Sequence, residues 1–220
     1  MSTPNLTTTS YAILGLLAVR PFGTYEIAKQ MDRALGQFWP RARSKIYEEP
    51  KKLVALGLAR ATPEEVGGRR RTVYSITAKG RTTLGKWVRA TSDAGPAIEF
   101  ESLMKVFYAE HGSKADLLTT VCAVREWSDN ETLATGYVAD EYLDNAGPFP
   151  ERLPWLILVG HFLDGFLEFV ADWADWAEAI VESWPDDITQ ANPDLETLRR
   201  HSERMHQVAE RVRATTSPVR

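Results

Sequence analysis

Between residues 7 and 57 the apolar positions keep a helical rhythm that glycine and proline interrupt. Ile13, Leu14, Leu16 and Leu17 form one face of a helix over residues 7–19, and Pro21-Phe22-Gly23 ends it. Thr24 is placed to cap a second helix running to about Leu35, with Tyr25, Ile27, Ala28, Met31 and Leu35 at inward positions and Gly36 as its stop. After a turn containing Phe38, Trp39 and Pro40, Ser44 is placed to cap a third helix. That helix runs to about Leu56 and buries Ile46, Leu53, Val54 and Leu56 before Gly57 stops it. Pro50 falls inside it, where a proline lacks the N–H donor and crowds the preceding turn at a cost of about 3 kcal/mol. A kink, or a first turn that is separately capped, is predicted there.

The period then shortens. Residues 58–62 and 72–76 are β-prone runs separated by the stretch 63–71, which predicts a hairpin with a basic tip. Thr77 caps a further helix through about Arg89, carrying Leu84, Trp87 and Val88. A helix pair at helix-turn-helix spacing followed by a hairpin is a winged helix-turn-helix. The small, polar, Gly/Pro-punctuated segment Ala90–Pro96 is the predicted joint, giving a first domain over 1–90.

Beyond the joint the pattern is helical throughout. Ile98, Phe100, Leu103, Met104, Val106 and Phe107 mark a helix ending near His111-Gly112. Ser113 opens a long helix that residues 145–154 break, and another runs from about Leu153 to Trp184. In this last helix one apolar seam runs Leu156, Gly160, Leu163, Leu167, Val170, Ala174, Ala177, Val181, Trp184. A second runs Val159, Phe162, Phe166, Phe169, Trp173, Trp176, Ile180. The seams lie roughly 100° apart, an apolar arc too wide for one neighbour, so two packing partners are predicted and the second is another copy of the chain. Leu156, Leu163, Phe166, Leu167, Val170, Trp173 and Ala177 are the candidate dimerisation residues. A final helix over Asp194–Arg213 carries Leu195, Leu198, Met205, Val208 and Val212. The predicted fold is mainly α with a small β-hairpin. An N-terminal winged helix-turn-helix is followed by a C-terminal antiparallel helical dimerisation domain over 91–190, with a C-terminal helix and tail over 191–220.

Charge divides along the same line. The 220-residue chain has a net charge of −4, but residues 1–90 carry 16 Lys+Arg against 6 Asp+Glu, and residues 91–220 carry 10 against 24. A basic block in an acidic chain points to a polyanionic partner for that block alone. Cys122 is the single cysteine and cannot form an intrachain disulfide. No secretory leader pattern and no uncharged run of about 18 apolar residues is present, so a cytoplasmic protein without a membrane partner is expected.

The segments AILGLLAVRPFGTYEIAKQM, FWPRARSKIYEEPKKLVALGLA, RRRTVYSITAKG and FVADWADWAE resemble the PadR-like bacterial transcriptional regulators, in the subgroup with a shorter, Vir-type helical C-terminal domain. The resemblance spans about residues 7–184. It implies a homodimeric DNA-binding repressor of its own or neighbouring genes, whose C-terminal domain dimerises and in some members senses small molecules.

Double-stranded DNA requires cations for the phosphates and a protruding element for the base edges. Arg41, Arg43, Ser44, Lys45 and Tyr47 cluster at the start of the third helix, the end that a helix-turn-helix offers to bases. Lys51 and Lys52 are placed for phosphates, and Glu48 and Glu49 for repelling them or accepting from a cytosine amino group. Arg69, Arg70 and Arg71 at the wing tip suit phosphate or minor-groove contact, and Tyr25 suits the backbone. In the acidic half, Phe169, Trp173 and Trp176 are candidates to line a pocket for a planar aromatic effector, with dimer core as the competing reading. His161, Asp164 and Glu168 share a helical face, but the solvated-stripe reading outweighs a metal or acid–base role, and neither a cofactor nor catalysis is expected. The alternative to a regulator is a helical-bundle enzyme or adaptor whose winged helix binds protein.

Overall fold

The computed structural model describes residues 6–35, 46–66, 69–92 and 95–216. It divides into two compact units, Met1–Ala97 and Ile98–Arg220.

In the first unit, α1 (Thr8–Val19) opens on a reciprocal cap: the Thr7 hydroxyl accepts from Ser10 N–H at 3.2 Å and the Ser10 hydroxyl accepts from Thr7 N–H at 3.0 Å. Ile13, Leu14, Leu16 and Leu17 are buried, as their spacing predicts. A two-residue strand β1 (Phe22–Gly23), absent from the sequence-based prediction, leads directly into α2 (Thr24–Leu35). Thr24 is therefore the first helical residue rather than the cap, and the Glu26 carboxylate reaches back to accept from Gly23 N–H at 2.7 Å. Ile27 and Met31 are fully buried, whereas Tyr25 is 75% exposed.

The third helix begins later than predicted. Residues 46–48 form a turn, and α3 is Glu49–Ala55. Pro50 thus stands in its first turn, where the amide has no helical acceptor to lose, so the conflict with an interior proline disappears. Gly57 closes the helix at φ +70°, with Gly57 N–H donating to Val54 O at 2.9 Å and Leu58 N–H to Leu53 O at 2.8 Å. This is the six-residue left-handed closure that glycine favours. Leu53 and Leu58 are buried on either side of it, while Val54 and Leu56 are only half-buried.

Strands β2 (Ala59–Val66) and β3 (Arg69–Ile76) pair antiparallel, and β1 adds to the far edge of β3, for the order β1-β3-β2. Both long strands extend well beyond the two short runs predicted, and only residues 67–68 connect them. α4 (Ala78–Arg89) is capped by Thr77, whose hydroxyl accepts from Gly80 N–H at 3.0 Å. It packs on α1 through a Tyr11–Trp87 stack with centroids 4.9 Å apart.

The second unit comprises α5 (Glu101–Phe107), α6 (Lys114–Leu143), α7 (Leu153–Glu182) and α8 (Leu195–Thr216). α6 and α7 form an antiparallel pair. The Lys114 ammonium donates to Glu182 O at 2.8 Å and to Trp184 O at 2.6 Å, where α7 ends in unsatisfied carbonyls. Further along, the buried Ser128 hydroxyl donates to Leu167 O at 2.8 Å, and Arg125 joins Asp129 and Asp175. Leu117, Val121 and Val124 of α6 enclose Val170, Ala174, Ala177 and Val181 of α7. Cys122 is half-buried beside Glu178, and burial followed by that carboxylate pushes its thiol pKa up.

The two seams of α7 therefore have different fates. The first packs within the chain. Leu167, Val170 and Ala177, predicted at a dimer interface, are buried core against α6. The second stays largely open, with Phe162 65% and Phe169 63% exposed and Trp176 also exposed. Leu156, Leu163, Phe166 and Trp173 are half-buried. The stretch Pro150–Glu182 also contains a window with the length and apolarity of a membrane span, which counting only uncharged runs passes over. Core helices of soluble proteins meet the same criterion, and one face of α7 is such a core.

Candidate nucleic-acid interface

The described part of the predicted recognition segment is a turn and a two-turn helix held from beneath by a buried acid. Glu49 is 5% exposed; its carboxylate accepts from the Ser10 hydroxyl at 2.7 Å and lies 3.4 Å from both the Thr7 hydroxyl and the Lys52 ammonium. Ser10 itself is fully buried. Glu49 is thus an anchor that ties the first turn of α3 to the first turn of α1, where hydroxyls and free amides favour a negative charge. The expectation that Glu49 faces DNA is corrected by that burial. Glu48 remains outside, paired with Lys51 at 3.0 Å on the exposed face of α3. Tyr47 is 59% exposed, which rules out packing beneath the helix. Lys52 is partly covered by its pairing with Glu49. Arg41, Arg43, Ser44 and Lys45 lie outside the described residues, together with Phe38, Trp39 and Pro40.

On the wing, the arginines are strand residues, and β3 register sets each opposite a residue of β2: Arg69 to Val66, Arg70 to Glu65, Arg71 to Glu64. The Arg69 side chain lies outside the described residues. Arg70 is exposed. Arg71 is committed elsewhere. Its Nε and Nη2 donate to one Glu64 oxygen at 2.9 and 2.7 Å, and its Nη1 reaches Glu26 on α2 at 3.4 Å. Hydrogen bonding to Glu64, reinforced by the charge of Glu26, raises the pKa of Arg71 above its ordinary value. The same Glu26 carboxylate receives the Gly23 N–H, so one exposed network joins β1, β2, β3 and the start of α2. The sequence reading missed Glu26 and Glu64 as partners because it placed residues 63–71 in a loop. Gly67-Gly68, a two-residue hairpin signal, carries the information that would have extended both strands and fixed the register.

The wing base depends on a close approach at Gly80. A Cβ there would lie 2.1 Å from Leu58 O and 2.8 Å from a side-chain carbon of Ile76. The Thr77 hydroxyl reaches Gly57 O at 2.8 Å, and the Lys79 ammonium donates to Leu56 O at 2.8 Å. Lys79 and Arg81, counted as part of the basic block, thus cap carbonyls; Arg81 reaches Ala18 O at 3.2 Å.

The transcriptional regulator PadR-like family matches residues 13–86, which hold α1, α2, α3, the wing and most of α4. The chain carries a PadR-like domain. It is 30% identical over 99 residues to the negative transcriptional regulator PadR of Bacillus subtilis, covering 44% of this chain and 54% of that protein. It is 30% identical over 125 residues to a probable transcriptional regulator, Rv1176c, of Mycobacterium tuberculosis, covering 52% of this chain and 66% of that protein. The chain therefore spans between half and two thirds of the curated relatives it matches. Among solved structures, Bacillus subtilis PadR in complex with operator DNA superposes with a TM-score of 0.68 at 20% identity, over 80% of this chain and 99% of that one. The same protein with p-coumaric acid gives 0.62 at 21% identity. At such identities the likeness establishes the fold, winged helix and mostly helical remainder together. The family match lies wholly within the N-terminal unit and does not reach the C-terminal one.

In the C-terminal unit the three aromatics of the predicted effector pocket differ in their surroundings. Phe169 and Trp176 are exposed, and Trp173 packs on the α6–α7 core. His161, Asp164 and Glu168 are all exposed, and among the described residues no three ligating side chains converge.

Proposed function

We propose that this chain is a homodimeric transcriptional repressor that occupies a pseudo-palindromic operator, with α3 and the segment before it read into the major groove and the wing laid on the backbone. The observation that carries this reading is the PadR-like domain itself, built as a winged helix in which Tyr25, Tyr47, Lys51 and Arg70 are exposed. The net positive charge of that block supplies the phosphate affinity. Both curated relatives are named as regulators, which removes the footing of an enzyme or adaptor reading. A DNA-binding regulator works in the cytoplasm.

The second seam of α7 supports the dimer, because Phe166 and Trp173 pack on the α6–α7 core while Val159, Phe162, Phe169 and Trp176 stay exposed, and a second copy is the economical cover for those four. A Vir-type C-terminal unit belongs to the same proposal. The effector we assign is a planar aromatic acid, on the precedent of the relative solved with p-coumaric acid.

Selection of bound fragments from genomic DNA, followed by anisotropy titration of the enriched sequence, tests the reading. A shared pseudo-palindrome is the expected result, and no enrichment over bulk DNA overturns it. Adding p-coumaric acid to the complex should lower the anisotropy; an unchanged signal across related aromatic acids removes the effector from the proposal.

A further inference from the structure

Glu26 is the third residue of α2, the position from which a glutamate reaches back to the amide that precedes a helix. It does so here: Oε2 accepts from Gly23 N–H at 2.7 Å, and with the carboxylate fixed in this way Oε1 lies 3.4 Å from Arg71 Nη1 on β3. The strand register supplies a second carboxylate. Arg71 stands opposite Glu64, whose Oε2 accepts from Nε at 2.9 Å and from Nη2 at 2.7 Å. All three guanidinium nitrogens are therefore engaged, and two of the six acidic residues in the basic block of residues 1–90 converge on one arginine.

Such a network adds little stability. The three side chains are each about half exposed, where ion pairs contribute least, and the wing is already held by the β2–β3 ladder and by the junction of Thr77 with Gly80. What the two carboxylates change is charge. Arg70, the preceding residue, is exposed and makes no ion pair among the described residues. Arg71 lies between two negative charges, so a phosphate reaches its guanidinium only by displacing hydrogen bonds that are themselves charge-assisted.

We propose that Glu26 and Glu64 are specificity-determining residues, which hold Arg71 off the phosphates of DNA of any sequence and tie the wing to α2. Phosphate contacts carry no sequence information, so a freed arginine would raise affinity for every duplex. On the operator that gain is offset, because the same loss unties the wing from the helix pair whose bases it must match. Specificity is a difference between two affinities, and withholding one cation from the competing DNA widens it. This inference rests on the DNA-binding reading proposed above and assigns two acidic residues a role in it.

The test is anisotropy titration of the full chain on the selected operator and on a scrambled duplex at a series of salt concentrations, with circular dichroism as the folding control. The Glu26→Gln/Glu64→Gln variant keeps both acceptor oxygens and loses only charge. On scrambled DNA its slope of log affinity against log salt should steepen by about 0.9, which over the decade from 1 M to 0.1 M salt amounts to about eightfold tighter binding. Operator affinity should rise by less, so the ratio of the two falls. Adding Arg71→Gln to that variant should return the scrambled-duplex slope to the wild-type value. A merely structural pair would instead lower affinity for both duplexes. That result, an equal rise on both, or a gain that persists without Arg71 overturns the inference and leaves DNA binding in place. A wild-type chain that binds neither duplex at low salt overturns both.

Discussion

At position 80 a hydrogen atom decides whether the wing can meet α4. With Leu58 O only 2.1 Å from where a Cβ would stand, Gly80→Ala must push apart the strand end and the helix start that Thr77 joins. Overpacking of that kind costs about 1–3 kcal/mol, and denaturant unfolding followed by the fluorescence of Trp87 should report it. Gly85→Ala, five residues on, meets only the flexible end of Arg89 at 3.5 Å and should leave stability unchanged or raise it by up to about 1 kcal/mol through helix propensity. Equal losses at both sites would show that the close approach is not real. The arginines divide in the same residue-specific way. Each phosphate neutralised contributes about 0.9 to the slope of log affinity against log salt, so Arg70→Gln should flatten that slope by about one unit. Arg71→Gln should weaken binding with the slope retained, because its guanidinium serves Glu64 and Glu26 and acts by positioning the wing. A slope that flattens equally for both would place Arg71 on a phosphate in the complex.

Helices and strands were legible in the sequence to the degree that local chemistry decides them. The Thr77 and Ser113 starts and the Gly57 stop depend on neighbours within a few residues, and the structure places each of those turns where the spacing predicts. Elements decided by distant contacts were not legible. β1 is two residues long and exists because β3 lies beside it. The late start of α3 agrees with Pro50 in its first turn, but the Glu49 contact beneath α1 is long-range and no local pattern encodes it. The α7 seams show the same limit: periodicity demands two neighbours, but only the α6 core reveals which seam the chain keeps for itself. The anchoring of α3 yields a prediction at this scale. Glu49→Ala leaves the buried Ser10 hydroxyl without its acceptor, at a cost of about 1–3 kcal/mol, and frees the start of α3, so operator affinity should fall along with stability. Glu49→Gln keeps an acceptor oxygen and should lose less of both. If alanine costs no more than glutamine, Glu49 is not the anchor of the helix.

For the whole molecule, net charge misleads and symmetry informs. A charge of −4 averages a basic block with a larger acidic remainder, so on the reading proposed above electrostatic attraction is confined to the PadR-like domain, and the proposed dimer has two such heads. A single winged helix makes few base contacts, and most of its affinity is salt-dependent and indifferent to sequence. Specific occupancy then requires both heads at once, since holding the second near its half-site raises its effective concentration and multiplies the affinity by about 100-fold or more. That gain depends on phase. Half-sites about one helical turn apart present the same groove to both heads, and inserting five base pairs rotates one of them by about half a turn. Affinity for such an operator should fall by about 100-fold toward that of a single half-site, and insertion of ten base pairs should restore part of it. Wild-type binding that ignores the five-pair insertion would mean that the two heads read DNA independently, and the operator would then not be a palindrome read by a symmetric dimer.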